Sequence, residues 1–438
     1  MKNALLKVGF GLFLSATSFS LFAQQPHIAN MRNNDQTGIN VFETTKQDTA
    51  KFEGMKVRVG GNFSQSYQSL MHSNSATPNV VGGVDLNALT PLSDGFNTAT
   101  ANLNFDVQLA DGVRLNLVSY LSSRHHNETW VKGGYLQFDK LPFLHSGFID
   151  NIMKFTTIRA GHMEINYGDA HFRRSDNGNT IYNPFIESYI MDAFTTEIGG
   201  DIMVRNNGMF GVFGVTGGEI KGDVTRPVVT ATDDKAKRSP SFIGKLGYDK
   251  QLTDQFRLRV SGSVYTTASS ASNTLYSGDR AGSHYFLVME NNNVTTATRA
   301  SGRLDPGFSD KVTSFMGNIF LKYNGLEFFG TYETATGRVR TETSQRTVSQ
   351  YAGDVVYRFG SAENFYVGAR YNKAFGKLAG ITNSISIDRT ALSAGWFLTK
   401  NIMMKGEYVV QNYNDFPTTD IRSNGQFHGV VFEAAVAF

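Results

Sequence analysis

Charged side chains are concentrated in one short stretch of the sequence. Asp169, His171, Arg173, Arg174 and Asp176 lie within eight residues. Charges this dense can hold an ion, or they can favour one sign of ion in a confined, partly dehydrated space. Which of the two applies depends on the secondary-structure elements that position the stretch.

Metal binding is one alternative for these residues and for those just before them. His162, Glu164 and Asn166 share one face of an extended segment, but two or three ligands at this spacing are a weak signal. The run Asp176–Asn179 offers oxygen ligands without the regular aspartate spacing of a calcium loop. We predict no metal site and no cofactor.

Catalysis has little support in the sequence. Cysteine is absent, which excludes thiolate nucleophiles, thiolate metal sites and disulfides. There is no Gly-x-Ser-x-Gly or His-Glu-x-x-His motif, and none of the nine histidines has a serine two positions later, as barrel phospholipases do. We therefore expect the protein not to be an enzyme.

The N-terminus predicts export from the cytoplasm. Lys2 and Lys7 precede an apolar run, Val8–Ala16. Ala23 is a small residue at a position suited to cleavage. We predict a signal peptide over 1–23 and a polar periplasmic lead-in over 24–55. With 41 basic and 38 acidic residues the chain has no basic excess that would suit nucleic acid.

From residue 56 to the C-terminus, apolar and polar residues alternate in segments of about ten residues, the length with which a tilted strand crosses a bilayer. In the last segment Val430, Phe432, Val436 and Phe438 share one face, and Glu433 lies on the other. We predict sixteen strands: 56–69, 98–109, 113–123, 129–140, 154–167, 194–205, 209–219, 241–250, 256–267, 312–323, 326–336, 347–359, 364–373, 385–399, 402–412 and 426–438.

The connections alternate between short and long, which indicates a fold class. An all-β transmembrane antiparallel barrel has short periplasmic turns and long extracellular loops. A soluble sandwich or propeller is the alternative, but its polar faces would collect lysines. We expect the third long connection, 168–193, to fold inward and narrow the lumen. Connection 141–153 is longer than a turn, and Leu141–Phe143 within it is expected to pack on the rim.

Parity places charged residues of both signs on the inner wall. The predicted wall set is Arg58, Arg114, His162, Glu164, Glu197, Arg257, Arg259, Arg358 and Arg370. Further acidic positions nearly cancel the basic ones, so the sum of charges favours neither anions nor cations. Arg257 and Arg259, with Arg173 and Arg174, form the best candidate for an anion path, and reversing Arg173 and Arg174 to Glu is expected to change ion selectivity.

The segment Ser393–Asn414 carries a resemblance to a known family. It is similar to the C-terminal region of the phosphate-selective porin O and P family, and Arg159–His162 is similar to that family's strand before the inward loop. The matching residues are Gly395, Trp396, Phe397, Leu398, Asn401, Glu407, Tyr408 and Val409. The resemblance implies a diffusion channel, often trimeric, in the outer membrane of a Gram-negative bacterium. Phosphate specificity is not carried over, because no run of lumen arginines and lysines forms a ladder.

Three functions follow as hypotheses. The first is a porin for small polar solutes or inorganic ions, inserted in the lipid bilayer as a homo-oligomer. Its terminal Phe438 is typical of the signal read by barrel assembly machinery. The second is a plugged barrel that acts as a structural or assembly partner through loop 268–311, whose apolar residues include Tyr276, Tyr285 and Val288. The third, a transporter of hydrophobic substrates, would need an apolar lumen path and an N-terminal plug.

Overall fold

Sixteen β-strands of eight residues or more form the wall of the computed structural model. It describes residues 25–48, 50–123, 129–222, 224, 226–230, 232, 237–277, 282–294 and 298–438. The predicted signal peptide, 1–23, lies outside the described residues and stays a prediction. Among the described residues no helix is both long and apolar enough to cross a membrane.

The strands confirm the predicted count, and each strand end lies within about four residues of its predicted position. In chain order, β1 to β16 are Lys56–Ser73, Thr100–Ala110, Val113–Ser122, Thr129–Phe138, Thr156–Glu164, Thr196–Asn206, Met209–Thr216, Ser241–Gln251, Phe256–Thr267, Lys311–Tyr323, Leu326–Arg338, Arg346–Phe359, Phe365–Gly376, Ile385–Thr399, Ile402–Asn414 and Gln426–Ala437. The differences are mostly of one to three residues at strand ends.

The sheet closes on itself into a barrel. Each strand pairs antiparallel with its neighbours in the chain, and β1 also pairs with β16. The lower half of β1 pairs with β2, from Lys56 to Ser64, whereas residues 62–73 pair with β16. This offset is the stagger that a tilted, closed sheet requires. Closure leaves no unpaired edge, so the backbone is satisfied without water.

The outer surface is an apolar belt with aromatic rings near its borders. In β16 the side chain of Phe432 is 56% exposed and that of Glu433 is 2% exposed, which confirms the predicted alternation. Near the turns the exposed rings are Tyr323, Tyr357, Phe359, Phe365 and Trp396, and toward the long loops they are Tyr332, Tyr351, Tyr371 and Phe375. Aromatic girdles of this kind sit at the two membrane interfaces.

Tight turns connect the strands at the end where the chain terminates. Asn207 and Gly208 join β6 to β7 with φ angles of 47° and 88°, a left-handed pair that suits a two-residue hairpin. The longer connection 139–155 contains a 3-10 turn, Pro142–Leu144, and a short helix α1, Gly147–Met153. Phe143 packs edge-on against Phe138 at the rim but stays largely exposed.

A lysine in the centre of the apolar belt should destabilise the inserted barrel. Phe432→Lys is expected to lower the free energy of unfolding in lipid vesicles by about 2–4 kcal/mol, because the charge would face hydrocarbon. Met71→Lys, near the upper border of the belt, is the control and should cost about 1 kcal/mol or less. Urea titration of refolded protein measures both values, and equal effects would argue against a lipid-facing belt.

Candidate functional site

The connection between β5 and β6, residues 165–195, contains the predicted inward loop 168–193 and lies along one side of the barrel interior; we call this connection the inward loop. Lys405 of β15 donates to the carbonyl oxygens of Thr180, Asn183 and Phe185 at 2.8–3.0 Å. Arg389 of β14 donates to the carbonyl oxygen of Ser188 at 2.7 Å. These bonds run from wall side chains to loop backbone, so the loop is fixed to the wall of β8–β15.

The start of the inward loop is held by a buried group of four charges. Asp169 accepts from Arg259 at 2.7 Å and lies 2.6 Å from Lys245. Glu43, from the segment before β1, contacts the same two cations at 2.7 and 2.9 Å. Burial alone would raise the pKa of Asp169, but Lys245 and Arg259 outweigh burial and lower that pKa to about 2. Both carboxylates are therefore ionised at neutral pH.

Two adjacent arginines of the loop point in different directions. Arg173 is enclosed beside the rings of Phe320 and Phe329 and pairs with Glu327 at 3.4 Å. Arg174 pairs with Asp192 at 2.6 Å and Asp176 at 3.2 Å, and it borders the open part of the lumen. Of the two, Arg174 is the one that solutes in this space would meet.

The segment before β1 also lies inside the barrel. We call residues 25–48 the N-terminal strap. The strap crosses the opening at the turn end: the backbone N–H of Gln36 donates to the carbonyl of Lys400, and Lys46 donates to the carbonyls of Asp139 and Met153. The sequence predicts a polar lead-in here. Because apolar and polar residues do not alternate regularly in this segment, the sequence does not indicate that the segment enters the lumen.

The connection between β9 and β10, residues 268–310, is docked onto the inward loop from the opposite end. Glu187 accepts from the hydroxyl of Ser283 and the backbone N–H of His284, both at 2.7 Å, and pairs with Arg303. The apolar residues Tyr276, Tyr285 and Val288 are buried. These residues form part of the barrel's own core, so they do not present the free apolar surface that the plugged-barrel hypothesis invoked.

An open cavity of about 310 Å³ remains between the inward loop and the wall of β1–β7. Its lining extends from Thr157, near the turn end of β5, to Thr196 at the opposite end of the barrel wall. Most of the lining residues are polar or charged, and the N-terminal strap contributes Arg32, Asn34 and Glu43. The lumen is thus divided into a filled half and an eccentric open half.

The open half is crossed by a network of charges. Lys132 of β4 contacts Asp176 of the inward loop and lies 3.3 Å from Glu164 of β5. The Nδ1 atom of His171 lies 2.6 Å from Glu164. Burial lowers the pKa of His171, and Glu164 opposes this only in part, so the ring is neutral at pH 7. The contact between Lys132 and Asp176 joins the wall to the inward loop across the open half.

The structure brings half of the predicted site residues together. Those that line the open cavity are Arg58, Arg114, His162, Glu164, His171, Arg174 and Asp176. Asp169, Arg173 and Arg259 instead hold the loop or the strap to the wall through the pairs described above. Arg370 pairs with Asp354 of the neighbouring strand and donates to the loop carbonyl of Glu187, whereas Arg358 pairs with Glu327 within the wall. Glu197 is enclosed by Thr216 and Tyr265.

The four arginines of the predicted anion path do not share one space. Arg257 borders a second cavity at the turn end and pairs with Asp249 at 2.8 Å, while Arg259 and Arg173 are enclosed. Parity gives the face of the wall on which a side chain lies. It does not indicate whether a loop covers that part of the face.

Sequence reasoning missed three cations of the open cavity, Lys132, Arg32 and Arg159. The β3–β4 register passes from Val118 opposite Gly133 to Ser119 opposite Val131, so Lys132 is the extra residue of a β-bulge. A regular alternation cannot assign it to a face. Arg32 lies in the strap, where no periodicity exists, and stacks at 3.7 Å over the ring of Tyr182.

No family model matches the sequence, and no curated protein matches it either. The barrel is similar to the anion-selective porin from Comamonas acidovorans, with a TM-score of 0.52 and 11% identity over 88% of this chain and 100% of that one. It is also similar to the outer membrane channel DcaP of Acinetobacter baumannii, with a TM-score of 0.50 and 10% identity over 89% of this chain and 99% of that one. The chain has the fold of a 16-stranded porin.

The closed barrel and its apolar belt confirm the predicted fold class and the predicted location in the outer membrane of a Gram-negative bacterium. At identities this low, similarity establishes the fold alone. The narrower resemblance to the phosphate-selective porin O and P family stays a prediction.

Removing the charge of Asp169 should loosen the attachment of the inward loop. Asp169→Asn is expected to cost about 3 kcal/mol, because it leaves Arg259 and Lys245 buried with one carboxylate fewer. Asp111→Asn, which breaks an exposed pair with Lys140, is the control and should cost less than about 1 kcal/mol. Urea titration measures both.

The same variant should change the dependence of stability on pH. The folded pKa of Asp169 is about 2, below the unfolded value of about 3.9. Its contribution is therefore complete above about pH 4 and is lost as pH falls toward 2. In the Asn variant that part of the acid destabilisation should be missing. An unchanged acid profile would contradict the ionised assignment.

Proposed function

We propose that the protein is a porin-type channel that passes small hydrophilic solutes or ions down their gradients. The observation that carries the proposal is the polar cavity between the inward loop and the wall of β1–β7. A passage lined by amides and charges lowers the cost of moving a hydrated solute through the barrel. The similarity to porins and channels supplies a compatible fold.

We take the point where Lys132 of the wall meets Asp176 of the inward loop as the constriction. This constriction would be the selective part of the passage. Lys132 lies between the carboxylates of Glu164 and Asp176, so charges of opposite sign face a solute over a short distance. Such a transverse arrangement of charges orients polar solutes. With both signs present it favours neither anions nor cations, and it becomes selective for one sign of ion when one member of the network is removed. Selectivity should therefore respond sharply to substitution at Lys132.

A closed barrel that serves as a structural partner is the second candidate. The strap, the inward loop and connection 268–310 fill much of the lumen, which favours this candidate. The burial of Tyr276, Tyr285 and Val288 weighs against it, since these residues offer no free docking surface. Conductance distinguishes the two candidates directly.

Assembly and oligomeric state are further parts of the proposal. The backbone of Phe438 pairs with Gly61 at 3.0 and 3.1 Å, and its ring is 50% exposed at the barrel border. Such a terminal aromatic suits recognition by barrel assembly machinery. We expect a homo-trimer in the bilayer, which chemical crosslinking of the native membrane protein would test.

The first experiment is single-channel conductance of refolded protein in a planar bilayer, with the reversal potential under a salt gradient. Uniform conductance steps would support an open passage. A folded, heat-modifiable barrel that conducts no current would reject the channel and favour the second candidate.

Neutralising Lys132 should make the channel more cation-selective. In Lys132→Gln the carboxylates of Glu164 and Asp176 lose their shared cation, so the constriction becomes more negative. The reversal potential is expected to move toward the cation limit. Arg422→Gln, which removes the same charge from an extracellular pair with Asp420, is the control. If the two variants behave alike, the passage does not run past Lys132.

Deleting the N-terminal strap should raise conductance. The strap spans the opening at the turn end by bonds to Lys400, Asp139 and Met153, and its removal widens that opening. Deletion of residues 25–48 is expected to give larger steps in the same bilayer measurement. Unchanged steps would show that the constriction, and not the strap, limits the current.

A further inference from the structure

The connection between β4 and β5, residues 139–155, is the longest connection at the turn end of the barrel and carries exposed apolar side chains. We call it the foot. Its exposed large apolar residues are Phe143, Leu144, Phe148 and Ile152, and Phe148 is 73% exposed. Single apolar residues on a protein surface are ordinary, but four of them in one short connection indicate an apolar partner.

Helix α1 of the foot, Gly147–Met153, has two different sides. Phe148 and Ile152 are four residues apart, so they share one side of the helix. Asp150 and Met153 share a side that is rotated by about 150° from the first. Asp150 and Met153 line a cavity between the foot and the N-terminal strap, whereas Phe148 and Ile152 lie outside that lining. The apolar side of the helix is therefore turned away from the strap and the opening of the barrel.

The apolar surface of the foot is continuous with the lipid-facing belt. The ring of Phe143 packs edge-on against that of Phe138 at the end of β4, with 6.5 Å between the ring centroids. Phe138 is opposite Ile158 of β5, and Ile158 is opposite Ile202 of β6. Cross-strand partners share a face of the sheet, and Ile202 is exposed in the belt. The foot thus extends the surface that faces lipid.

Hydrogen bonds hold the foot in place. The Nζ atom of Lys46 in the strap donates to the carbonyl oxygens of Asp139 and Met153 at 2.7 and 2.5 Å. The hydroxyl of Thr156 donates to the carbonyl oxygen of Ile152 at 3.0 Å. Both ends of the foot are therefore attached to the strap or to the barrel wall, and its apolar side has a defined orientation.

We infer that the foot is a lipid-binding element that lies on the inner leaflet of the outer membrane, with Phe148 and Ile152 inserted among the phospholipid headgroups. The turn end of a barrel of this class faces the periplasm, so the inner leaflet is the adjacent one. An amphipathic helix lies in the plane of the membrane interface with its apolar side toward the acyl chains, and aromatic side chains favour this depth.

Continuity with the belt identifies lipid as the partner, because a surface that extends from the hydrocarbon border meets lipid first. Charge plays little part in this contact. The foot contains two lysines and two aspartates, and Lys140 pairs with Asp111 of the neighbouring turn at 2.9 Å. The apolar side chains therefore carry the binding, and no anionic lipid is required.

Depth-dependent quenching of a fluorescent label tests the inference and requires no open channel. The chain lacks cysteine, so an introduced thiol gives a single label. Phe148→Cys and Ile152→Cys carry the fluorophore NBD and are refolded into vesicles of phosphatidylethanolamine and phosphatidylglycerol. At both positions a lipid nitroxide near the headgroup is expected to quench more strongly than one deep in the acyl chains. Phe432→Cys, in the centre of the belt, should show the opposite order.

Asp150→Cys is the matched control, because position 150 is on the other side of the same helix. Its label should be quenched by aqueous iodide and much less by lipid nitroxides. Equal lipid quenching at positions 148 and 150 would overturn the inference. So would a label at position 148 that neither iodide nor nitroxide reaches, since a protein, such as a second copy of this chain, would then cover the foot.

A charge on the apolar side should remove the foot from the membrane. Adding Phe148→Asp to Ile152→Cys is expected to abolish lipid quenching of the label and to increase quenching by iodide. Asn151→Asp adds the same charge on the polar side, where Asn151 accepts from Lys154, and should leave the quenching unchanged. Heat-modifiable migration shows that each variant has folded. Lipid quenching that persists with Phe148→Asp would contradict the insertion of Phe148.

Discussion

Closure of the sheet between β1 and β16 is the constraint on which the rest of the structure depends. In lipid every backbone amide and carbonyl needs a partner, and a sheet with sixteen strands meets this requirement only without edges. A barrel of that size is too wide for its wall side chains to fill. The interior must then hold either water or other parts of the chain, and this protein uses both.

The inward loop, the strap and connection 268–310 are attached to the wall by charges and backbone hydrogen bonds as well as by apolar packing. Lys405 and Arg389 donate to loop carbonyls, and the group of Asp169, Glu43, Arg259 and Lys245 fixes loop and strap to the same wall. Each of these cations would be costly alone in a low-dielectric interior. These charges stabilise the fold only when every member of the group is paired. Removal of one member is therefore expected to lower the free energy of unfolding far more than loss of a surface pair.

The division into enclosed charges and charges beside the cavity explains why the summed charge of the wall is uninformative. The charges of the ion pairs that attach the inward loop and the strap to the wall cancel one another, and these pairs are enclosed. In the proposed channel, the charges that a solute would meet are those beside the open cavity, among them the Lys132 network and the side chains of Arg58 and Arg114. The sum over the wall therefore does not describe the charge of the cavity.

The sequence by itself determined the barrel. Alternation in segments such as Phe256–Thr267 and Gly429–Phe438 reports which face each side chain takes, because a strand between lipid and a polar interior has a period of two. Turn pairs such as Asn207–Gly208 marked the boundaries. This information is local, so it survives in a single sequence.

Only the tertiary structure decided which inward side chains meet the open lumen. Arg259 and Arg58 are both predicted to face the barrel interior. The loop and the strap enclose Arg259, however, and leave Arg58 beside the cavity. Lys132 escaped assignment because a bulge shifts its register, and Arg32 because the strap has no period. The position of Arg32 depends on contacts with residues more than a hundred positions away, such as Phe172, and that of Lys132 depends on the register between two strands. No local pattern encodes either.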